Sequence, residues 1–424
     1  MIAIIGLFLS LVLFIFLSFK GWNIAVSSVL AGLLLLITNG MSLTEGFTEI
    51  FASGFGEFAS SWWMMFALGA LFGKVMQECG VAGSIVNLMS KKLHGNAIWI
   101  IMFISFVMSY GGIGTFVIAF TIYPIASELF SREGICTSLL PAVMLFCPTT
   151  VAMTMLPGTP SVQNILPTKY LNTDIYAAPL LGLIASTVTL LLGSLYLHNI
   201  SKKMKVSDEM RIIDKNLKYT PKDWLSFLPC ICLWVISFVM IRIGFDSQIS
   251  VEAAMTVGIL ICITIGHGKC DIRKVVNTGF LSGLETLAMT SCIMGYGAIV
   301  KNSLAFSIIS DALFGASENP LISSVIAINL IAAITGSSTS GMQLFFDSFA
   351  QEIVSVSLPH DVFHRVIAIA SGGLDSMPYA TGVAIANKLS ATKLSKTYLH
   401  IFVTCAAIPL IALVVVIAVI QVIY

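Results

Sequence analysis

Charge is what this chain has least of. Only 10% of its 424 residues are Asp, Glu, Lys or Arg, against roughly 25% in an average soluble domain, which excludes a water-soluble fold. Neither sign is in surplus: the formal net charge is +1, so no nucleic acid and no acidic partner is expected. Histidine is sparse, and none lies near the Cys230, Cys232 pair, whose spacing is unlike a structural zinc pattern. Most cysteines (Cys147, Cys230, Cys232, Cys262, Cys292, Cys405) fall inside apolar segments and read as small core- or lipid-facing residues. No metal and no cofactor is therefore expected. The segments singled out below also lack a nucleophile accompanied by a base, so an enzyme is not expected. Long hydrophilic stretches are missing, with one exception at 199–223.

Hydrophobic residues make up 57% of the chain. Apolar runs near the roughly 20 residues that cross a bilayer recur at 2–19, 24–38, 177–197, 224–243 and 401–423. The expected fold is an all-α polytopic protein of the cell (inner) membrane, with the lipid bilayer as a partner. The first run lacks a basic start, and another span follows directly behind Lys20. It reads as a retained span rather than a signal peptide.

A constant offset relates the two halves. Gly54 precedes Gly111 by the same 57 residues that separate Gly279 from Gly336, an offset of 225. The same offset carries 2–19 onto 227–244 and 177–197 onto 402–422. Two repeats are expected, 1–198 and 224–424, joined by a cytoplasmic linker at 199–223. Each should hold five crossings and one re-entrant hairpin, about ten transmembrane helices in all, with the second copy inverted. The basic residues agree with inversion. Lys20, Lys91, Lys92, Arg132 and the linker should share one face, as should 267–274 and 388–396, whereas 315–319, the counterpart of the Lys91 loop, has no Lys or Arg. The positive-inside tendency makes that face cytoplasmic and leaves both termini outside.

Inside hydrocarbon, non-helical backbone is tolerated only where protein or a water-filled cavity surrounds it. Four Gly-, Pro-, Ser- and Thr-rich interruptions are therefore informative. Tyr110-Gly111-Gly112-Ile113-Gly114-Thr115 would be the tip of a hairpin spanning 97–130, and Thr335-Gly336-Ser337-Ser338-Thr339-Ser340-Gly341 the tip of its counterpart at 320–355. Two broken helices would follow. In 137–169, the interruptions are Cys147-Pro148-Thr149-Thr150 and Leu156-Pro157-Gly158-Thr159-Pro160-Ser161. In 360–390, they are the run Ser371 to Pro378 and Thr381-Gly382. Any one of these could be a packing kink. Four at repeat-related places suggest one central site, in which half-helix N-termini suit a carboxylate and unwound carbonyls and hydroxyls suit a cation.

Asp375 is the sole carboxylate within a break. A charge there costs about 2.5–3.5 kcal/mol on insertion scales, so it is a candidate coupling group, or else it caps its own helix. Asp347 is a weaker candidate, and Glu128 would sit near the mouth of the first hairpin. Lys74 is expected to pair with Glu78 or to snorkel. His360, His364 and Arg365 precede the second broken helix and are expected to be exposed at the interface. Trp62 and Trp63 read as interfacial anchors.

The stretch Met155-Leu156-Pro157-Gly158-Thr159-Pro160-Ser161-Val162-Gln163-Asn164, the stretch Ala370 to Pro378 and the Thr335 to Gly341 run resemble the gluconate permease family, closest to its branch of short hydroxy-acid permeases. The resemblance implies membership of the wider ion transporter superfamily, with inverted repeats, paired re-entrant hairpins, broken helices, homodimers and an elevator-like shift. It further implies proton-coupled uptake of sugar acids. One departure is that Tyr379 and Ala380 follow the Leu-Asp motif's proline, where the branch often has histidine and asparagine.

The leading reading is a secondary transporter performing cation-coupled symport of a small carboxylate such as gluconate or 3-hydroxybutyrate, the coupling ion being H+ rather than Na+. The expected binding residues are Gly111, Gly112, Gly114, Thr115, Gly158, Thr159, Ser161, Asn164, Thr335, Gly336, Ser337, Ser338, Thr339, Ser371, Gly372, Gly373 and Thr381, with Asp375 in coupling. No arginine stands in the breaks, so dipoles and hydroxyls would hold the anion. A cation/proton antiporter on the same scaffold is the alternative, and it would need more carboxylates.

Overall fold

The computed structural model describes residues 2–82, 84–85, 96–110, 115–159, 161–204, 223–245, 247–266, 271–314, 319–354 and 358–423. Among them every regular element is helical. The chain order is α1 (Ile2–Phe19), α2 (Ile24–Thr38), α3 (Ala52–Glu78), α4 (Ala97–Tyr110), α5 (Thr115–Glu133), α6 (Leu140–Phe146), α7 (Val162–Leu171), α8 (Pro179–Lys203), α9 (Leu228–Ile243), α10 (Ser247–Ile265), α11 (Ile272–Lys301), α12 (Leu304–Phe314), α13 (Pro320–Thr335), α14 (Ser338–Val354), α15 (His360–Ser371), α16 (Thr381–Ser390), α17 (Leu394–Phe402) and α18 (Ile408–Ile423).

Six helical stretches among the described residues are long and apolar enough to cross a membrane: Ile2–Phe19, Thr137–Met155, Pro179–Lys203, Gln248–Ile265, Ile272–Lys301 and Leu394–Ile423. Large apolar side chains on α1, α8, α9 and α18 face outward, among them Phe8, Phe16, Leu183, Leu191, Ile231, Ile411 and Val414. A hydrocarbon surround makes that arrangement favourable, since exposed apolar area on this scale would be costly in water. The protein is a multi-pass membrane protein.

Two apolar cores lie inside. One gathers Phe66, Phe72, Phe120, Phe130 and Phe146 with α9 and α10 residues such as Leu233 and Met255. The other gathers Phe14, Leu35, Phe345, Phe346 and Phe363 with Leu181 and Val416. Each draws on both halves of the sequence. α3 packs closely along α11, which contributes residues to both cores. Glycines set this closeness: a Cβ at Gly283 would come within 2.5 Å of the Phe66 carbonyl oxygen, and one at Gly54 within 2.8 Å of that of Met294. Backbones touch there.

The Cys147-Pro148-Thr149-Thr150 segment corrects one expectation. The chain does not unwind there but continues from α6 as a wide, π-type helix over Cys147–Met155. Pro148 has no N–H to give to the preceding turn, and enlarging the turn by a residue accommodates the missing bond without exposing backbone. Thr149 and Thr150 donate their hydroxyls to the carbonyls of Leu145 and Phe146, one turn back in the widened segment. The helix ends only at Leu156. In the second half, the non-helical run is Gly372 to Ala380, and Thr381 and Gly382 open α16 rather than interrupt it.

The Lys91 loop, 315–318, most of the linker, 267–270, the Gly111, Gly112 and Gly114 tip, Pro160 and the side chain of Asp347 lie outside the described residues. Lys74 and Glu78 form an ion pair at 3.0 Å, and Glu128 pairs with Arg132 at 2.9 Å. Trp62 packs on Phe116 while Trp63 is exposed.

Candidate substrate site

The first break follows the wide helix, with a turn at Pro157-Gly158 ahead of α7. Its shape is fixed by a side chain from the other half. Arg365, on α15, is fully buried. Its Nε donates to the Ala177 carbonyl at 3.0 Å, Nη2 to Ile175 at 3.2 Å, and Nη1 to Asn164 Oδ1 at 2.6 Å and, more distantly, to Met155 O at 3.4 Å. The carbonyls it reaches are those that a terminated helix and the following turn leave without intrahelical donors. Asn164 then turns its Nδ2 back to Leu156 O at 3.1 Å, Thr159 O at 3.3 Å and the Thr159 hydroxyl. Ser161 donates to Met153 O at 2.7 Å, and the Gly158 N–H to Ile175 O at 2.9 Å.

These contacts overturn the expectation that Arg365 and His364 are exposed. Both have no accessible surface. His360 Nδ1 contacts Leu171 O at 3.0 Å, and one turn on, His364 Nδ1 contacts Thr173 Oγ1 at 2.7 Å, so α15 seats the end of α7 through one face. Burial of the guanidinium is tolerated because its planar fork meets several acceptors at once. Thr159 and Asn164 are buried and spend their polar groups inside this knot.

The second polar centre joins three chain segments. Asp375 accepts from the Ser376 hydroxyl at 3.0 Å and lies near Ser338, the first residue of α14. Ser338 Oγ and Thr339 Oγ1 in turn accept from Gln163 Nε2 at 2.9 and 3.1 Å. Gln163 stands in the first turn of α7. The group thus bridges the first break, the α13–α14 turn and the second break.

The α13–α14 turn is pinned from the second break. Gly336 takes a left-handed conformation (φ 61°) under the Tyr379 ring, and Tyr379 donates its hydroxyl to the Ala333 carbonyl in the last turn of α13. Ser337 accepts from the Ser340 N–H and so caps α14. The Thr335 hydroxyl donates to the carbonyls of Ile331, Ala332 and, across the turn, Ser337, and that of Ser371 to Ala368, all near them in sequence. Gly372 packs on Thr154 and Gly373 on Asn329, and Thr381 is buried at the start of α16. In the first half, Thr115 lies 3.8 Å from Met153 Sδ, and Ser109 bonds the Pro148 carbonyl at 3.2 Å, so α4 and α5 flank the wide helix. Four helices, α5, α7, α14 and α16, start at these places, and first-turn N–H groups carry partial positive charge.

A family model for the GntP family permeases matches residues 1–423. The chain belongs to the GntP permease family. Among curated proteins, the permease is 28% identical over 447 residues to an uncharacterized transporter, YxjC, of Bacillus subtilis (strain 168), with 94% of this chain and 95% of that protein covered. Membership makes the chain a transporter rather than an enzyme, and the motifs that suggested the family, Met155 to Asn164 and Ala370 to Pro378, are the two breaks just described. Sequence reasoning missed Gln163 and Arg365 as parts of the site. A signal for each was present: an amide in the first turn after Ser161, and an arginine inside the apolar run Val362 to Ala370, six residues before a break.

Proposed function

We propose that the permease is a cation-coupled symporter of small organic acid anions such as gluconate or 3-hydroxybutyrate, with the proton as coupling ion and Asp375 as its carrier. The observation that supports this best is the placement of Asp375, the single carboxylate among the break residues, which accepts from the Ser376 hydroxyl and lies near Ser338 where α14 begins. An ionised Asp375 and a bound carboxylate about 4 Å apart repel by about 4 kcal/mol at an effective dielectric near 20. Protonation removes that term, so the anion binds about a thousandfold better to the neutral form, which is the thermodynamic requirement for coupled transport. The anion would lie on the first-turn N–H groups and on Thr115, Ser161, Ser337, Ser338, Thr339 and Thr381, with Gly111, Gly112, Gly114, Gly158, Thr335, Gly336, Ser371, Gly372 and Gly373 providing backbone approach.

In the same reading the protein has two inverted repeats, with ten crossings, two of them broken, and two re-entrant hairpins (α4–α5 and α13–α14), and it works as a homodimer in the inner membrane by an elevator-like shift. Helix bounds support the repeat: α1, α4 and α5 shifted by 225 fall within a few residues of α9, α13 and α14. The α3–α11 contacts are also reciprocal, because Gly54 meets Ala298 while its counterpart Gly279 meets Leu71 and Lys74.

Uptake of labelled gluconate and 3-hydroxybutyrate into proteoliposomes, under an imposed proton gradient, a sodium gradient or none, tests the reading. Accumulation is expected only with the proton gradient, and Asp375→Asn is expected to abolish accumulation while retaining exchange of internal for external substrate. Undiminished proton-driven accumulation by D375N would remove Asp375 from coupling, and sodium-driven accumulation would replace the proton.

A further inference from the structure

A cavity of about 180 Å³ lies apart from the breaks, between α3, α5, α11 and α16, and its polar lining is Lys74, Gln77, Tyr123, Ser282, Thr286 and Lys388. Lys388 is held by a charge from another helix: its Nζ is 2.8 Å from Glu285 Oε1, and the two side chains are 22% and 69% exposed. The pair is lopsided. Glu285 can swing into solvent at little cost, whereas the enclosed ammonium, left alone, needs another anion.

Depth makes the pair informative. Glu285 lies 13 residues into α11, about 20 Å from its start at 1.5 Å per residue. An ion pair at such depth calls for a water-filled crevice rather than lipid. Lys74, near the end of α3, stands at the level of Gly279, closer to the basic start of α11 with Arg273 and Lys274. The crevice therefore runs inward from the end of α11 that carries Arg273 and Lys274, the cytoplasmic end by the positive-inside tendency. Inward, Lys388 is seven residues past Thr381, about 10 Å along α16 from the second break.

Size and chemistry restrict the occupant. The volume equals about six waters at their share of about 30 Å³ each in the liquid, enough for a short-chain hydroxy acid. Ser282, Thr286, Tyr123 and Gln77 match hydroxyl groups, and the ammonium matches a carboxylate.

We propose that this crevice is a second anion station on the basic-loop side of the central site, where Lys388 exchanges Glu285 for the carboxylate of the transported hydroxy acid. The inference rests on the reading of the permease as a carboxylate transporter. Proteoliposomes of defined orientation test it by the apparent KM for labelled 3-hydroxybutyrate and gluconate at each face. Lys388→Gln is expected to raise KM about tenfold at the basic-loop face and leave the other face unchanged, Lys388→Arg to stay near wild type, and Glu285→Gln to lower KM at the basic-loop face. An unchanged KM in K388Q, or an equal shift at both faces, overturns the station while leaving the transport reading intact. Should K388Q not fold, E285Q decides, and an unchanged KM at the basic-loop face there overturns the station. Wild-type vesicles that move neither acid would overturn both.

Discussion

Replacing Asn164 with alanine tests whether the buried guanidinium of Arg365 sets the shape of the first break. In the wild type, Asn164 Oδ1 accepts from Arg365 Nη1 at 2.6 Å, and its Nδ2 reaches Leu156 O and Thr159 O at 3.1 and 3.3 Å. After truncation Nη1 keeps only the 3.4 Å approach to Met155 O. A hydrogen bond to a charged group is worth about 1.5–3 kcal/mol and a neutral one about 0.5–1.5. Two neutral donations and one charged one sum to about 4 kcal/mol, close to a thousandfold in the local opening equilibrium. Hydrogen exchange of the detergent-solubilised protein, read by mass spectrometry on peptides covering 156–165, measures this directly, with peptides from α3 and α11 as internal controls. Exchange in the 156–165 amides should rise by two to three orders of magnitude, with the controls unmoved. A rise below about fivefold, with the controls still protected, would refute the idea that this knot holds the break. Asn164→Asp should fall between, since it keeps the acceptor for Arg365 and turns the donating nitrogen into an oxygen facing two carbonyls.

Two further substitutions probe the α13–α14 turn. Gln163→Leu removes both donations to Ser338 and Thr339 and should raise the KM for transported acid severalfold with little change in thermal stability; an unaltered KM would place this bridge outside the binding site. Gly336→Ala puts a Cβ on a left-handed residue, 3.1 Å from the Tyr379 ring, and should cost about 1–2 kcal/mol, seen as a lower midpoint in thermal unfolding monitored in detergent. An unshifted midpoint would show that the turn relaxes freely.

The family and the helical, multi-pass character were legible because they rest on composition and on contiguous strings such as Leu156 to Ser161 and Gly372 to Pro378. Those strings encode backbone conformation locally, through residues that lack an N–H or a side chain. What stayed hidden was the set of partners. Arg365 is satisfied mainly by main-chain oxygens of Met155, Ile175 and Ala177, and carbonyls carry no mark in a sequence, so the arginine read as an interfacial charge. Gln163, Ser338 and Asp375 come from three distant segments, and only folding makes them neighbours. The widened helix after Cys147 was misjudged for another reason. A proline removes one hydrogen bond, but whether the chain then unwinds or adds a residue to its turn depends on nearby hydroxyls such as those of Thr149 and Thr150.

Along α3 and α11, carbonyl oxygens and Cα atoms meet where glycines leave gaps, at Gly54, Gly279 and Gly283. Two rods in such contact cannot ratchet past one another by a turn, because every bump on one is lodged in a notch of the other. They form a keel. Helix α5 is seated on the same keel, since a Cβ at Gly73 would come within 2.6 Å of the Phe120 carbonyl oxygen, so any displacement of the second break relative to the keel would be taken up at the face of α16, where a cavity and a separable ion pair stand in place of a dry, interlocked seam.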